Sequence, residues 1–558
     1  MNEKAKKILK WVGIYVLISA IAFIVYYVTL PAINLQSEGF WMFLAFLLFL
    51  YTLPLSGIRV NVEILKAGEF KFQKPKKSKK AKLMLLAALP IVVVILGSLF
   101  SSTLFFATSY ASVIDVKEAV FAEDMPETEN VTNIALMDSD TAAIVGNRTL
   151  GSLSDVVSQF EISHTYTQIN YHGTPQKVAN LEYAGFFKWL GNRSVGIPGY
   201  VMVDPVNNTA EYKKLDDTIR YSESGFFGDD LMRRLRFDYP TKIMSTPRFE
   251  IDEEGNPVYV VACLSPKVSL FGAKDVSEVI IFDPTDGTSE IYAVEETPSW
   301  IDVVYDGNLA TEKYNWKGTL SGGFFNSIIG NKDCKQTTDN FGYIVIGDDV
   351  WYFTGVTSVN SDQSNIGFII SNARTGEYKF YPVIGAEEHS AMTAAQGEVQ
   401  EKNYVASFPA LVNVKGEATY IMVLKDQGGL VKLYAMVNVE QYNIVATGTT
   451  QEEAKAAYLA RLVSEGILSP EEELPPPADQ TLEATVHIER ITPVVTGGET
   501  YLYLTGKAVG TNEKMILRAK IASNESILFL AEGDNVAFTL TETDTAGVYS
   551  VVSFELPN

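Results

Sequence analysis

The sequence predicts a membrane-anchored α+β protein: three N-terminal transmembrane helices, mostly antiparallel extracytoplasmic α+β units, and a small C-terminal β-barrel of OB or SH3 size. Three observations carry that expectation. Trp11 to Ser37, Gly39 to Ile58 and Leu83 to Ile114 contain no charged side chain, and each holds an apolar run near the ~20 residues that cross a bilayer. Beyond residue 112 the pattern changes to short alternating runs punctuated by Gly, Pro, Asn and Asp, the mark of antiparallel sheet. After an acidic, Pro-rich stretch the same alternation resumes and continues to the C-terminus. A chain of 558 residues is too long for one core. The expected divisions are a three-span anchor at 1–112, the α+β region at 113–465, a linker at 466–480 and the barrel at 481–558.

The anchor is oriented by charge. Residues 1–82 carry thirteen Lys and Arg against four Glu, a formal +9, which leaves about −31 for the rest of a chain whose total is −22. Basic loops stay on the cytoplasmic side, so "MNEKAKKILK" and "RVNVEILKAGEFKFQKPKKSKKAK" are expected inside. The short "INLQSEGF" turn and everything after residue 112 are then outside. The expected location is the cell membrane, with a cytoplasmic N-terminus and an extracellular C-terminal domain. Pro90 should bend or end the first turn of the third span. Lysines in "FQKPKKSKKAK" face anionic lipid at the inner leaflet, so membrane lipid is one expected partner, while the acidic exterior disfavours nucleic acid. Cys263 and Cys334 both fall in the exported part, where they can form one disulfide or remain two half-buried thiols.

A repeated phrase organises the exported part. "VMVDPVNNTAEY" (201–212), "IIFDPTDGTSEIY" (280–292) and "IISNARTGEYKFY" (369–381) each place an Asx residue four positions before Asn208, Gly287 or Gly376, between two β-rich runs. Asp204, Asp283 and Asn372 can bond their own turn backbone, and the Asn or Gly supplies the positive φ that closes a hairpin. Helix-like phrases, "VEETPSWIDVVY" and "GAEEHSAMTAAQGEVQ", follow the second and third hairpins. The spacings of 79 and 89 residues predict repeated hairpin-helix units. This grammar, with "YVASFPALVNVKGEATYIMVLKDQGGLVKLYAMVNV", resembles PepSY-type extracytoplasmic units and uncharacterised membrane proteins of Gram-positive bacteria. The resemblance implies binding or inhibitory work at the cell surface and supplies no catalytic residue.

Thr450 and Glu453 make a capping box for a closing helix whose apolar face is Ala454, Ala457, Tyr458 and Leu462. "SPEEELPPPADQ" reads as a stiff acidic linker. The last segment shows about five strands with turns at "TGGE", "GTNE", "SNES" and "EGDN", a small barrel.

Candidate chemistry is sparse. Glu387, Glu388 and His389 put two carboxylates beside one of four histidines and are the candidate binding residues. Consecutive helical residues point about 100° apart, however, and acids favour a helix start, so a cap and an exposed face account for them. The acidic turns "DEEGN" (252–256) and "GDDV" (347–350) look like hairpin tips. The aromatics of "SGGFFNS" and "FKWLGNR" are expected mainly in the core. No metal or cofactor motif occurs, and no catalytic residue is assigned. The expected role is binding or scaffolding in the cell envelope, with an unidentified envelope protein or glycan as partner. A hydrolase with a carboxylate pair distant in sequence, or a sensor acting through the basic loop, are the alternatives.

Overall fold

The computed structural model describes residues 3–56, 62–64, 70–72, 79–128, 134–359, 361–469, 481–496, 499–511, 514–521, 525–542 and 548–554. Most of the basic loop and residues 470–480 of the linker lie outside them. The chain forms two compact units, Met1–Lys455 and Ala456–Asn558.

Helix α1 (Glu3–Thr29) and the helical stretch Lys82–Leu99 are long and apolar enough to cross a membrane. The second stretch begins as a 3-10 helix, Lys79–Ala87, and becomes α3 (Ala88–Leu99) just before Pro90. Proline has no N–H with which to continue an α-helical ladder, so the change of helix type falls where the ring sits. Between them α2 (Glu38–Thr52) is equally apolar but only 15 residues long. A short kinked helix, α4 (Thr103–Ala111), follows α3.

The larger unit then repeats one device four times. In the first copy Phe160–Ile162 and Thr167–Tyr171 both pair with Thr174–Tyr183, which pairs with Ile197–Asp204, which pairs with Thr209–Ile219. The second copy places Ile243–Met244 and Arg248–Ile251 on Pro257–Val268, followed by Gly272–Phe282 and Ser289–Ala293. The third places Lys335–Thr337 and Gly342–Ile346 on Asp349–Ser358, followed by Ser361–Asn372 and Tyr378–Tyr381. The fourth places Val405–Ala406 and Ala410–Val414 on Glu417–Lys425, followed by Val431–Asn438 and Val445–Gly448. Each copy is an antiparallel meander whose first strand is broken in two.

The inner pieces of those first strands share a centre: Thr167–Tyr171 touches Arg248–Ile251 and Asp349–Ser358, and Gly342–Ile346 touches Ala410–Val414. Burial falls from the inner strand to the outer one in the first two copies, where Thr209–Ile219 and Ser289–Ala293 are largely exposed. These contacts join the second meander to the first, the first to the third and the third to the fourth. The segment leaving α4 ties two of them together. Val116–Glu118 pairs in parallel with the outer strand Tyr378–Tyr381, and Glu127 bridges to Asn413 on the inner strand of the fourth copy.

The three hairpins read from sequence are the strand-three to strand-four turns of copies one to three. Asp204 accepts from Val206 and Asn207 N–H, Asp283 from Thr285 N–H, and Asn372 from Arg374 and Thr375 N–H. Asn208, Gly287 and Gly376 have φ of 56°, 83° and 72°. A fourth turn begins the same way, with Asn438 accepting from Gln441 N–H, but it returns to the ladder only at Ile444. The longer loop hides it from a fixed spacing.

A capped helix follows every copy. They are α7 (Leu231–Asp238), α8 (Gly307–Leu320), α9 (Glu388–Glu398) and α10 (Gln451–Ser464), preceded in the chain by α5 (Ser139–Gly151) and α6 (Phe186–Asn192). Asp230, Asp306, Glu387 and Thr450 each accept a backbone N–H of the first turn. The helix expected at 294–305 is replaced by one 3-10 turn, Val294–Glu296, and the true helix starts at Gly307. Glu250 accounts for the difference, since its two carboxylate oxygens accept from Asp302 and Val303 N–H at 3.0 Å each. Those donors are held by the inner strand of the second copy and cannot enter a helix.

The smaller unit contains a closed five-stranded barrel in the order Thr481–Thr496, Glu499–Ala508, Lys514–Lys520, Val548–Phe554, Asn535–Glu542. Its core is a single cluster around Ile488, Leu504, Leu517, Val536, Phe538 and Leu540.

Candidate functional site

Strand Thr174–Tyr183 sends Pro175, Lys177, Ala179, Leu181 and Tyr183 into buried positions. Lys177 is the anomaly in that row. It is 3% exposed and lines a cavity of about 280 Å³ together with Asp138, Gln168, Tyr343 and the Phe408–Ala410 segment, so the first, third and fourth meanders all contribute. A second cavity of about 210 Å³ shares Gln168 and Tyr343 with it.

The ammonium of Lys177 lies 5.3 Å from the centre of the Tyr343 ring, within cation–π range. Among the described residues it makes no hydrogen bond or ion pair. Burial pulls its pKa down to about 8, and the Asp138 carboxylate pulls the other way. Asp138 is already committed, because it caps α5 through Thr141 N–H at 2.8 Å and is paired with Lys425. Burial alone would raise Asp138, but the Lys425 and Thr141 bonds hold it below the usual carboxylate range. The cavity therefore carries one uncompensated positive charge, in a setting where an isolated charge is costly. Gln168 donates to Gln176 C=O at 3.0 Å, so its amide is fixed.

The sequence-predicted residues lie elsewhere, in three different environments. Glu387 caps α9, accepting from His389 N–H at 2.9 Å and Ser390 N–H at 2.6 Å. Glu388 turns inward, is fully buried, and accepts from Gly355 N–H at 2.6 Å. Burial pushes its pKa up to about 6, against the N–H donors that favour the charged form. His389 faces solvent. The cap reading thus describes Glu387 and the surface reading His389, while Glu388 is a core strut between α9 and the third meander. Glu388→Ala should cost about 2 kcal/mol by orphaning a buried N–H. Glu387→Ala should cost about 1 kcal/mol for a lost cap, and His389→Ala should stay within about 0.5 kcal/mol. Urea unfolding of the three variants checks this, and equal losses would contradict it.

A buried carboxylate pair distant in sequence does exist. Glu250 and Asp302 are 0% and 5% exposed, and burial raises both above the carboxylate range; the Asp302 charge adds to the rise at Glu250, while the Asp348 and Asp349 charges add to the rise at Asp302, which reaches about 7. Both Glu250 oxygens and one Asp302 oxygen are taken by backbone, Asp302 accepting from Asn170 N–H at 2.9 Å, and neither residue lines the cavities above. Their role is to pin residues 300–306 to the ring. The turn acids are equally engaged: Asp252 accepts from Glu254 and Asn256 N–H, and Asp349 takes two bonds from Arg374. Cys263 and Cys334 are separate buried thiols.

Lys177 was missed because one lysine in a strand looks like a solvated face. Its phase was the available signal, since it occupies the inward register of Pro175, Ala179, Leu181 and Tyr183.

The chain matches no protein-family model, and no curated protein is significantly similar to it. Among solved structures, a Trypanosoma rangeli sialidase in complex with 2,3-difluorosialic acid aligns at 9% identity and a TM-score of 0.16, over 70% of this chain and 53% of its own. The chain thus spans about half of that protein's length. A B. megaterium levansucrase mutant aligns at 9% identity and a TM-score of 0.18, over 77% of this chain and 97% of its own. At such scores neither likeness bears on what this chain does.

Proposed function

We propose that the protein is a membrane-anchored, extracytoplasmic binding protein of the cell envelope, and that it takes a small anionic ligand in the cavity at Lys177. The observation that carries this reading is the ammonium of a buried lysine, without a hydrogen bond or ion pair among the described residues, facing a cavity large enough for a small carboxylate or phosphate. Folding gains nothing from such a charge, whereas a bound anion would complete it.

The anchor supports the location. Two helices have the length and apolarity of spans, and α2 with its flanking residues is the proposed third, which leaves both basic segments inside and the acidic meanders outside. The strand order of the barrel, with only its third and fifth strands parallel, supports an OB-type reading. Its acidity points to protein or glycan contact rather than nucleic acid.

Thermal unfolding of the full chain in detergent tests the cavity. Citrate, glucuronate and inorganic phosphate at millimolar concentration are the probes. At least one should raise the midpoint, by about 2.7 kcal/mol of stabilisation at a hundredfold excess over Kd. The Lys177→Met protein should show no shift. No shift in the wild type, or equal shifts in both proteins, would refute the site.

A further inference from the structure

Two apolar projections beside the helix ends remain unexplained by the cavity. Helix α6 buries Trp189, whose Nε1–H donates to Asp229 at 3.2 Å, and turns Phe186, Phe187 and Leu190 outward, Phe187 being 83% exposed. Phe226 and Phe227 meet the same indole in tilted contacts, with ring centres at 5.4 and 5.7 Å. Phe227 is itself 57% exposed and is held at φ 53°, a left-handed conformation that disfavours a bulky side chain. Such strain gathers at functional positions.

The patch is continuous with the end of α1. Arg233 donates to Tyr27 C=O through Nε at 3.2 Å and to Phe227 C=O through Nη1 at 2.6 Å, and its guanidinium lies 4.2 Å from the Tyr27 ring centre. Phe237, also exposed, meets the Tyr26 and Tyr27 rings at 6.0 and 6.3 Å. Exposed Arg193 and Arg220 flank the patch, each reaching the buried Asp229 carboxylate through Nε at 3.7 and 3.8 Å while the rest of the guanidinium faces solvent. The other projection repeats this relation: Phe324 packs into the cluster of Ala107 and Tyr110 on α4, and leaves Phe325 and Ile329 exposed by 72% and 79%.

Resting on the reading that α1 crosses a membrane, we infer that the 186–190 and 226–227 segments form an interfacial docking surface, inserted at the headgroup and acyl boundary of the outer leaflet. The occupant is the lipid of the bilayer that holds the anchor. Aromatic rings with flanking arginines suit that boundary, the rings entering the acyl region and the guanidinium groups meeting phosphate. The surface would fix the ring of meanders at a set height and tilt on the membrane instead of leaving it on a free tether.

The test places an environment-sensitive fluorophore on single cysteines of the full chain, reconstituted in phosphatidylglycerol and phosphatidylethanolamine vesicles that carry a nitroxide high on the acyl chain. The native thiols are buried, so labelling is selective for the introduced one. Labels at Phe187→Cys and Phe227→Cys should lose roughly half their emission to the nitroxide, as interfacial residues do, while Tyr442→Cys, exposed on the fourth meander, should lose almost none. Val16→Cys, on the lipid-exposed flank of α1, reports the anchor separately. Quenching at Val16 without quenching at Phe187 and Phe227 overturns the docking surface and leaves the span intact, whereas no quenching at Val16 removes the span itself. Blue-shifted emission at Phe187 without nitroxide quenching would put a protein on the patch, and would equally overturn the inference.

Discussion

Lys177→Met should leave the unliganded protein more stable than the wild type, by roughly 3 kcal/mol at pH 7. The Lys177 side chain is buried, its ammonium makes no hydrogen bond or ion pair among the described residues that Met would forfeit, and its pKa is pulled from 10.5 to about 8. Each unit of that depression is worth about 1.4 kcal/mol. Met keeps most of the unbranched stem and removes only the charge. The sign with pH follows from linkage: between about 8 and 10.5 the unfolded chain holds a proton that the folded one has released, so wild-type stability rises with pH in that window. The advantage of the variant should therefore be full below pH 8 and disappear above about pH 10.5. Urea unfolding at pH 7 and pH 10 measures it. A destabilised variant, or an advantage that ignores pH, would mean that the ammonium has partners in the fold and would remove the physical basis of the ligand site. Stability gained together with binding lost is the signature of a functional position.

The sequence disclosed the devices of this fold better than their arrangement. Asx-turn hairpins and capped helices are local, set by residues within five positions of one another, so Asp283 with Gly287 and Thr450 with Glu453 were readable directly. Tyr458 and Leu462 were readable from period alone. The broken first strand was not, because Arg248–Ile251 and Ile243–Met244 are two short segments whose common partner is defined only by pairing. Nor was the missing helix at 294–305, where a buried glutamate 50 residues earlier takes the N–H groups a helix would need. The same holds for the candidate sites. Glu387, Glu388 and His389 are conspicuous because they are adjacent, yet adjacency on a helix separates side chains. Lys177 of the first meander, Tyr343 of the third and Asp138 at the cap of α5 are brought together only by the fold and are unremarkable where each stands. The aromatics of "FKWLGNR" divide between the two expectations, Trp189 in the core and Phe187 in the open, since a helix of seven residues buries only one face.

Arg236→Met poses the same chemical question as Lys177→Met and should give the opposite answer, a loss of about 3–5 kcal/mol. Arg236 is 5% exposed, and burial lowers its pKa, though a guanidinium stays charged. Here the charge is used. Nε donates to Leu30 C=O at 2.9 Å, and Nη1 donates to Tyr239 C=O at 3.2 Å and Lys242 C=O at 2.6 Å. These carbonyls belong to the turn after α1 and to the loop after α7, which also meet through Ile33 N–H to Pro240 C=O at 2.7 Å and Asn34 to Thr241 C=O at 2.9 Å. Met would fill the volume but strand three part-buried acceptors at once, and removing one side of a buried charged network typically costs that much. Relief of the desolvated charge works in the other direction, yet it is smaller because the three bonds already offset most of it. Arg236→Lys should recover only part of the loss, since a single ammonium cannot span carbonyls approached from two sides of a planar fork. Thermal unfolding in detergent reads both variants, and a chymotryptic digest of the folded protein reads the joint itself: freed from Arg236, the segment at 30–37 has fewer bonds to the domain and should be cut sooner at exposed Leu35. An Arg236→Met protein as stable as the wild type would show that the apolar contacts of Tyr26 and Tyr27 with Phe237 hold the end of α1 to the domain without help from the guanidinium.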